Sequence, residues 1–202
     1  MAKQERAVRT REKLIRSAAE VFDREGYAVA SITTISARAG VSNGALHFHF
    51  ASKAALAEAV AEAAALRLRH LVDRPSVGGG LQNLVDTTHQ LARGLRDDVV
   101  LRAGFELSRD AGREPRADVC GHWQNWVEHL VERADGAGEL RTDVSTPAVA
   151  TAVVATTAGF EMLARHDDDW LSRQTVARFW ELLLPTLAAA ELLPALKAHG
   201  TH

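Results

Sequence analysis

The tightest constraint in this sequence is a four-residue stretch, Ala39-Gly40-Val41-Ser42, that separates two short helix-forming segments. Thr33 or Thr34 can cap the first segment, which turns Ile35 and Ala39 inward, and Gly40 supplies the left-handed residue that ends it. Val41 fills the turn, and Ser42 can cap a second helix from Asn43 to about Phe50. Two helices joined by a three-to-four-residue turn with glycine form the helix-turn-helix unit. Residues 33–50 are therefore expected to fold as one.

The surrounding pattern is helical throughout. Residues 8–24 place Val8, Ile15, Ala18, Ala19 and Phe22 on one stripe, with Gly26 where a helix-ending glycine belongs. Ser52 can cap a long helix to about residue 72. Further helices are expected at 81–96, 99–111, 116–134, 147–165 and 170–187, with a short last piece at 191–199. Asp97-Asp98, Gly136-Ala137-Gly138 and the 166–169 stretch break the pattern. Apolar residues make up 47% of the 202 and aromatics only 5%, and few stretches alternate with period two. The chain reads as all-α: a three-helix helix-turn-helix domain over 1–53, a connecting helix at 52–72, and a second helical domain over 54–202.

Charge divides the same way. Residues 1–53 hold nine Lys and Arg against five Asp and Glu, whereas the whole chain carries −2. A polyanion would meet the N-terminal end, although a solvated first helix gives the same balance. The single cysteine, Cys120, rules out an internal disulfide framework. The first 30 residues lack the apolar core of a signal peptide. The most apolar stretch, 144–163, is interleaved with Thr, Ser and Ala and suits a protein interface better than lipid. The chain is expected to be cytoplasmic, without a membrane partner.

The second helix of the motif points to duplex DNA. A major groove admits one helix, whose N-terminal residues must come close to base edges. Ser42, Asn43, Gly44 and Ala45 are small or polar there. Leu46 and Phe50 share the opposite, core-facing side, and His47 lies away from them. Lys53 and the start of the first motif helix near Thr33 are phosphate candidates, with Arg6 and Arg9 as arm contacts. His47 and His49 stand about 200° apart on a helix, so they do not form a metal pair. Cys120 and His122 lack a third orienting group for nucleophilic chemistry. No metal and no cofactor are expected.

Many residues at matching spacing carry a family resemblance: Thr10-Arg11, Ala18-Ala19-Glu20-Val21-Phe22, Gly26-Tyr27, Thr33-Thr34-Ile35, Ala39-Gly40-Val41-Ser42, Gly44-Ala45-Leu46, Phe50 and Ser52-Lys53. Over about 55 positions the chain resembles the DNA-binding domain of TetR-family repressors. Lys3-Gln4, Gly44-Ala45-Leu46 and Phe48-His49-Phe50 further resemble the γ-butyrolactone receptors of actinomycetes, or pseudo-receptors of the same fold. Two positions depart: His47 replaces the family's usual phosphate-contacting Tyr, and Asn43 replaces the Lys usual in those receptors. Asn can pair with adenine, where Lys favours guanine or phosphate.

Trp123 and Trp126 sit three apart on one helix, which by itself suits core packing. The resemblance implies instead that a tryptophan on this helix lines an effector cavity, with Trp123 first and Trp126 second. Helix position adds Leu81, Val85, His89, Leu101, Phe105, Val127 and Met162. The dimer face is expected on the two last long helices, through Val149, Val153, Thr156 and Phe160 and through Val176, Phe179, Trp180 and Leu183, in a four-helix bundle across a two-fold axis. The resemblance thus implies a homodimeric, non-enzymatic repressor. Its partners are a pseudo-palindromic operator in double-stranded DNA and a small-molecule effector. A γ-butyrolactone-type signal controlling secondary metabolism is the first reading, and an antibiotic or biosynthetic intermediate the second. An enzyme with an appended DNA-binding module would need catalytic spacing in residues 80–190, which is absent. A non-specific architectural protein would be more basic.

Overall fold

The computed structural model describes residues 2–73, 78–110 and 117–201. The described residues form nine α-helices and no β-strand: α1 (Ala2–Val29), α2 (Ile32–Ala39), α3 (Asn43–His49), α4 (Lys53–Val72), α5 (Gly80–Asp97), α6 (Val99–Arg109), α7 (Val119–Gly136), α8 (Thr146–Leu163) and α9 (Arg173–Leu187). The only bridge among them is an isolated antiparallel pairing of Leu140 with Ala188.

Two compact units emerge from the packing. The first comprises the described residues of Met1–Arg67 and Asp98–Cys120, so the unit holding the helix-turn-helix is larger than residues 1–53. Leu14, Ala18, Phe22, Ile35, Leu46, Leu56 and Val60 form its core. α6 lies along α1 and is fastened to it by the Arg102 guanidinium, whose Nε and Nη2 reach the Asp23 carboxylate at 2.9 and 3.0 Å. Gly104 allows α6 to approach α4, since a Cβ there would stand 2.2 Å from the Ala64 Cβ.

The second unit comprises Leu68–Asp97 and Gly121–His202, its described helices being α5, α7, α8 and α9. The Glu139 carboxylate accepts from the Gly80 and Leu81 amides at 2.8 Å each and so caps α5. Trp180 is fully buried, and its indole N–H donates to Thr88 Oγ1 at 2.6 Å. The tail is held side-on to α5. Lys197 N donates to Gln82 Oε1 (2.8 Å), His89 Nε2 meets the Ala198 carbonyl (2.8 Å), and the Thr201 amide donates to buried Asp86 (2.9 Å).

Several expected boundaries move. α1 begins at Ala2, and a break at Gly26 (φ 76°, ψ 157°) lies inside it rather than ending it. Ser31, not Thr33 or Thr34, caps α2, because its hydroxyl accepts from the Thr34 amide at 3.0 Å. The expected helix at 191–199 is only a 3₁₀ turn, Leu193–Ala195: beyond it the Lys197 and Thr201 amides bond outward to α5 instead of continuing a helical ladder. A second 3₁₀ turn, Asp168–Leu171, precedes α9, with Asp167 capping it. The expected breakers at Pro75 and 112–115, and residue 116 of the expected 116–134 helix, lie outside the described residues, and α7 begins at Val119.

Candidate nucleic-acid interface and interior site

The motif turn is built by local capping at both ends. Gly40 adopts φ 63°, ψ 38°, and the Gly40 and Val41 amides close back on the Ala37 and Ser36 carbonyls at 3.0 Å each. Only glycine enters that region without strain. Ser42 then accepts from the Ala45 amide at 3.1 Å, starting α3. Leu46 and Phe50 anchor α3 in the core. Ser42, Asn43, Gly44, His47 and Phe48 are all exposed, with Ala45 half-buried. The resulting surface is a short helix whose first turn carries no bulky side chain.

Two candidate contacts are engaged within the protein itself. Asn43 Oδ1 accepts from the hydroxyl of buried Ser36 on α2, and its amide nitrogen lies 3.5 Å from Thr33 Oγ1. Its carboxamide therefore ties α3 to α2. Lys53, expected at a phosphate, instead donates from Nζ to the carbonyls of Tyr27 (2.9 Å), Ala28 (3.2 Å) and Ala30 (2.9 Å), and sits 4.6 Å from the Tyr27 ring centroid. All three ammonium donors are thereby used. A cation is favoured at carbonyls left without partners where a helix ends, which accounts for the correction. Thr33 is exposed on α2, and Arg6 and Arg9 lie on the first turns of α1. Arg11 stacks over the Phe50 ring at 5.2 Å.

In the C-terminal unit, Trp123 is buried and Trp126 is half-buried, with the two rings stacked at 5.2 Å. The Trp123 indole N–H donates to Thr157 Oγ1 on α8 at 2.9 Å. Thr157, next to the expected dimer-face residue Thr156, is thus an interior group. It borders a small apolar pocket with Thr88, Leu91, Phe160 and Phe179. A larger open cavity of about 510 Å³ is lined by Trp126, Leu130, Arg133, Asn83 and Glu139 among others. Of the residues expected to line an effector cavity, only Trp126 borders either of these pockets. Leu81, Val85 and Val127 are core residues of this unit, while Leu101 and Phe105 are core residues of the N-terminal one.

Three expectations for this unit need correcting. Met162 is 58% exposed and lines no interior site. His89 serves the tail through Ala198, and burial holds its imidazole below the usual pKa, with nearby Arg173 and His199 adding to the effect. Trp180 and Val176, expected on the dimer face, are buried within this unit together with Val149, Val153 and Phe160, which were expected there too. On these helices Thr156, Phe179 and Leu183 are half-exposed, and the apolar groups left open are Met162, Leu163 and Leu182, the last 78% exposed. No sequence signal separates the two faces, because α8 is apolar almost all round. By length and composition alone it could cross a membrane. Among the described residues no three His, Cys, Asp or Glu side chains gather as a metal site, and the Cys120 thiol points to the Phe105 carbonyl at 3.7 Å.

A two-helix reader anchored by Leu46 and Phe50, followed by an all-helical second unit, defines a helix-turn-helix transcription regulator. Residues 14–60 match the model for bacterial regulatory proteins of the tetR family. The chain is 34% identical over 201 residues to the A-factor receptor protein of Streptomyces griseus, spanning 99% of this chain and 71% of that one. The chain belongs to the TetR family of bacterial regulatory proteins, which are not enzymes. A crystal structure of a γ-butyrolactone receptor (an ArpA-like protein) superposes with a TM-score of 0.81 at 28% identity, covering 92% of each chain. CprB from Streptomyces coelicolor, in complex with its biological operator sequence, superposes with a TM-score of 0.78 at 27% identity over 94% of each.

Proposed function

We propose that this chain is a cytoplasmic, homodimeric repressor that reads a pseudo-palindromic operator and responds to a small-molecule effector. The observation that carries the reading is α3: exposed, small at its first turn and held by two core residues. One such helix reads only a half-site, so two protomers on a two-fold sequence are required. Ser42, Asn43, Gly44 and Ala45 approach the bases. Thr33 and His47 meet phosphates, and Arg6 and Arg9 follow the backbone. Met162, Leu163 and Leu182 supply the apolar surface a partner copy covers.

The effector enters the C-terminal unit beside Trp123, whose hydrogen bond to Thr157 joins α7 to α8. A ligand that replaces this bond favours one conformation over another and so changes operator affinity. A γ-butyrolactone-type signal governing antibiotic production is the first candidate, supported by the receptors to which the chain is similar. An antibiotic or biosynthetic intermediate is the second. It is favoured by Asn43 and His47, which depart from those receptors.

Selection of duplexes from a random library, followed by affinity measurements over a salt series, tests the reading. A selected palindrome bound on the order of a thousandfold tighter than random DNA at physiological salt supports it; equal affinity for both overturns it. Addition of synthetic γ-butyrolactones and of antibiotics then separates the two effector classes by which one releases the duplex.

A further inference from the structure

Phe48 is the most exposed large apolar residue among the described residues of the N-terminal unit, ahead of Val29 at 74%. It is 83% exposed, while the neighbouring Leu46 and Phe50 are buried. Its ring is braced edge-on against the His49 ring at a centroid distance of 5.2 Å. Within the protein it has no core to fill. On an α-helix, position 48 shares a face with Gly44 (i, i+4) and lies beside Ala45 (i, i+3). These are the two residues whose small size lets α3 approach a groove. Phe48 therefore extends the same surface one turn further along the helix.

The chemistry of the groove then limits what a phenyl ring can recognise. It has no hydrogen-bond donor or acceptor for a base edge. The one apolar group that base pairs display in the major groove is the C5-methyl of thymine. Asn43 is tied through its Oδ1 to Ser36 and His47 is assigned above to a phosphate, which leaves Phe48 as the large apolar side chain of this surface. We propose that Phe48 is a specificity-determining residue that reads a thymine methyl in each half-site. This rests on the operator reading above and adds to it one base, one atom and one side chain.

Deoxyuridine tests this directly, because it pairs as thymine does but lacks the methyl. The full-length protein is used to select an operator from a random duplex library. Each thymine of the half-site is then replaced in turn by deoxyuridine, and Kd is measured at fixed salt for the unaltered protein, Phe48→Ala and Phe48→Leu. One symmetry-related position is expected to weaken the unaltered protein about fourfold per half-site, the value of one buried methyl group. The same replacement should leave Phe48→Ala unaffected, and Phe48→Leu should keep part of the sensitivity. Because Phe48 is exposed, its variants should melt with the unaltered protein. An operator with no methyl-sensitive thymine overturns the assignment and leaves the operator reading intact. So does a sensitivity that persists unchanged in Phe48→Ala, or a Phe48→Ala loss shared equally by all sequences. A protein that enriches no sequence overturns the operator reading and this inference with it.

Discussion

The two units keep their candidate sites in opposite places. In the N-terminal unit the site is a surface: α3 buries Leu46 and exposes Ser42, Asn43, Gly44, His47 and Phe48. In the C-terminal unit the site is interior: Trp123 and Thr157 are both buried and bonded to each other. A surface site can change without disturbing the fold, because anchoring and reading fall to different side chains. An interior site cannot, since each lining residue is also a packing residue. The comparison predicts where stability and function separate and where they move together.

Leu46→Ala attacks the anchor of the surface site and should have the largest effect. Emptying a fully buried leucine costs about 3 kcal/mol, enough to lower Tm by several degrees and abolish operator binding together. Loss of binding with an unchanged melt would place Leu46 at the DNA and break the division of labour. Next comes Lys53→Met, which keeps the aliphatic stem but removes the three carbonyl contacts beyond Gly26. Charged hydrogen bonds of this kind suggest a loss of about 2 kcal/mol. The slope of log Kd against log salt should not change. A slope reduced by about one unit would show that Lys53 leaves its carbonyls for a phosphate.

Trp123→Phe probes the interior site more gently. It removes one hydrogen bond while keeping an aromatic ring, for about 1 kcal/mol of stability. Operator affinity should survive, and effector-induced release, read by fluorescence anisotropy of labelled operator, should be lost. Full release by the variant would move the effector site away from Trp123.

The smallest effect concerns pH. Burial holds the His89 pKa below its usual 6.5, so the unfolded chain takes up the proton more readily than the folded one. The stability linked to this group is complete above about pH 6.5 and declines as pH falls toward the lowered folded value. Tm should fall by a degree or two between about pH 7 and 5, and His89→Gln should flatten part of that slope. An identical slope in the variant would remove His89 from the account.

The same contrast governs how much was legible in the sequence. Capping and glycine chemistry are local, so the Gly40 turn, Ser42 and the inward Leu46 and Phe50 followed from spacing alone. Lys53 did not. An alkylammonium after a serine cap reads as a cation free to reach a phosphate until the fold brings the carbonyls of Tyr27, Ala28 and Ala30 to it. The tie from Asn43 to Ser36 was hidden in the same way, because the two residues lie on opposite sides of the turn. In the C-terminal unit the difficulty is periodicity. α8 and α9 are apolar on more than one face, so Trp180 and Val176 could be placed on the interface when they belong to the core. Leu182 could be overlooked although it is open. A pattern of hydrophobic residues gives the angle at which they stand, not what stands opposite.

The short recognition helix has an evolutionary consequence. Most substitutions destabilise, and a protein near its stability threshold tolerates few of them. Positions 42, 44, 47 and 48 lie outside the core, so changes there start from a nearly flat stability landscape. Such a regulator can drift between operators by single steps, each intermediate still folded and still binding some sequence. Gene duplication followed by changes at these few positions would let sister regulators diverge in target while sharing one scaffold. Of the exposed positions on this helix, Asn43 is the least free to change, because it is fastened to Ser36.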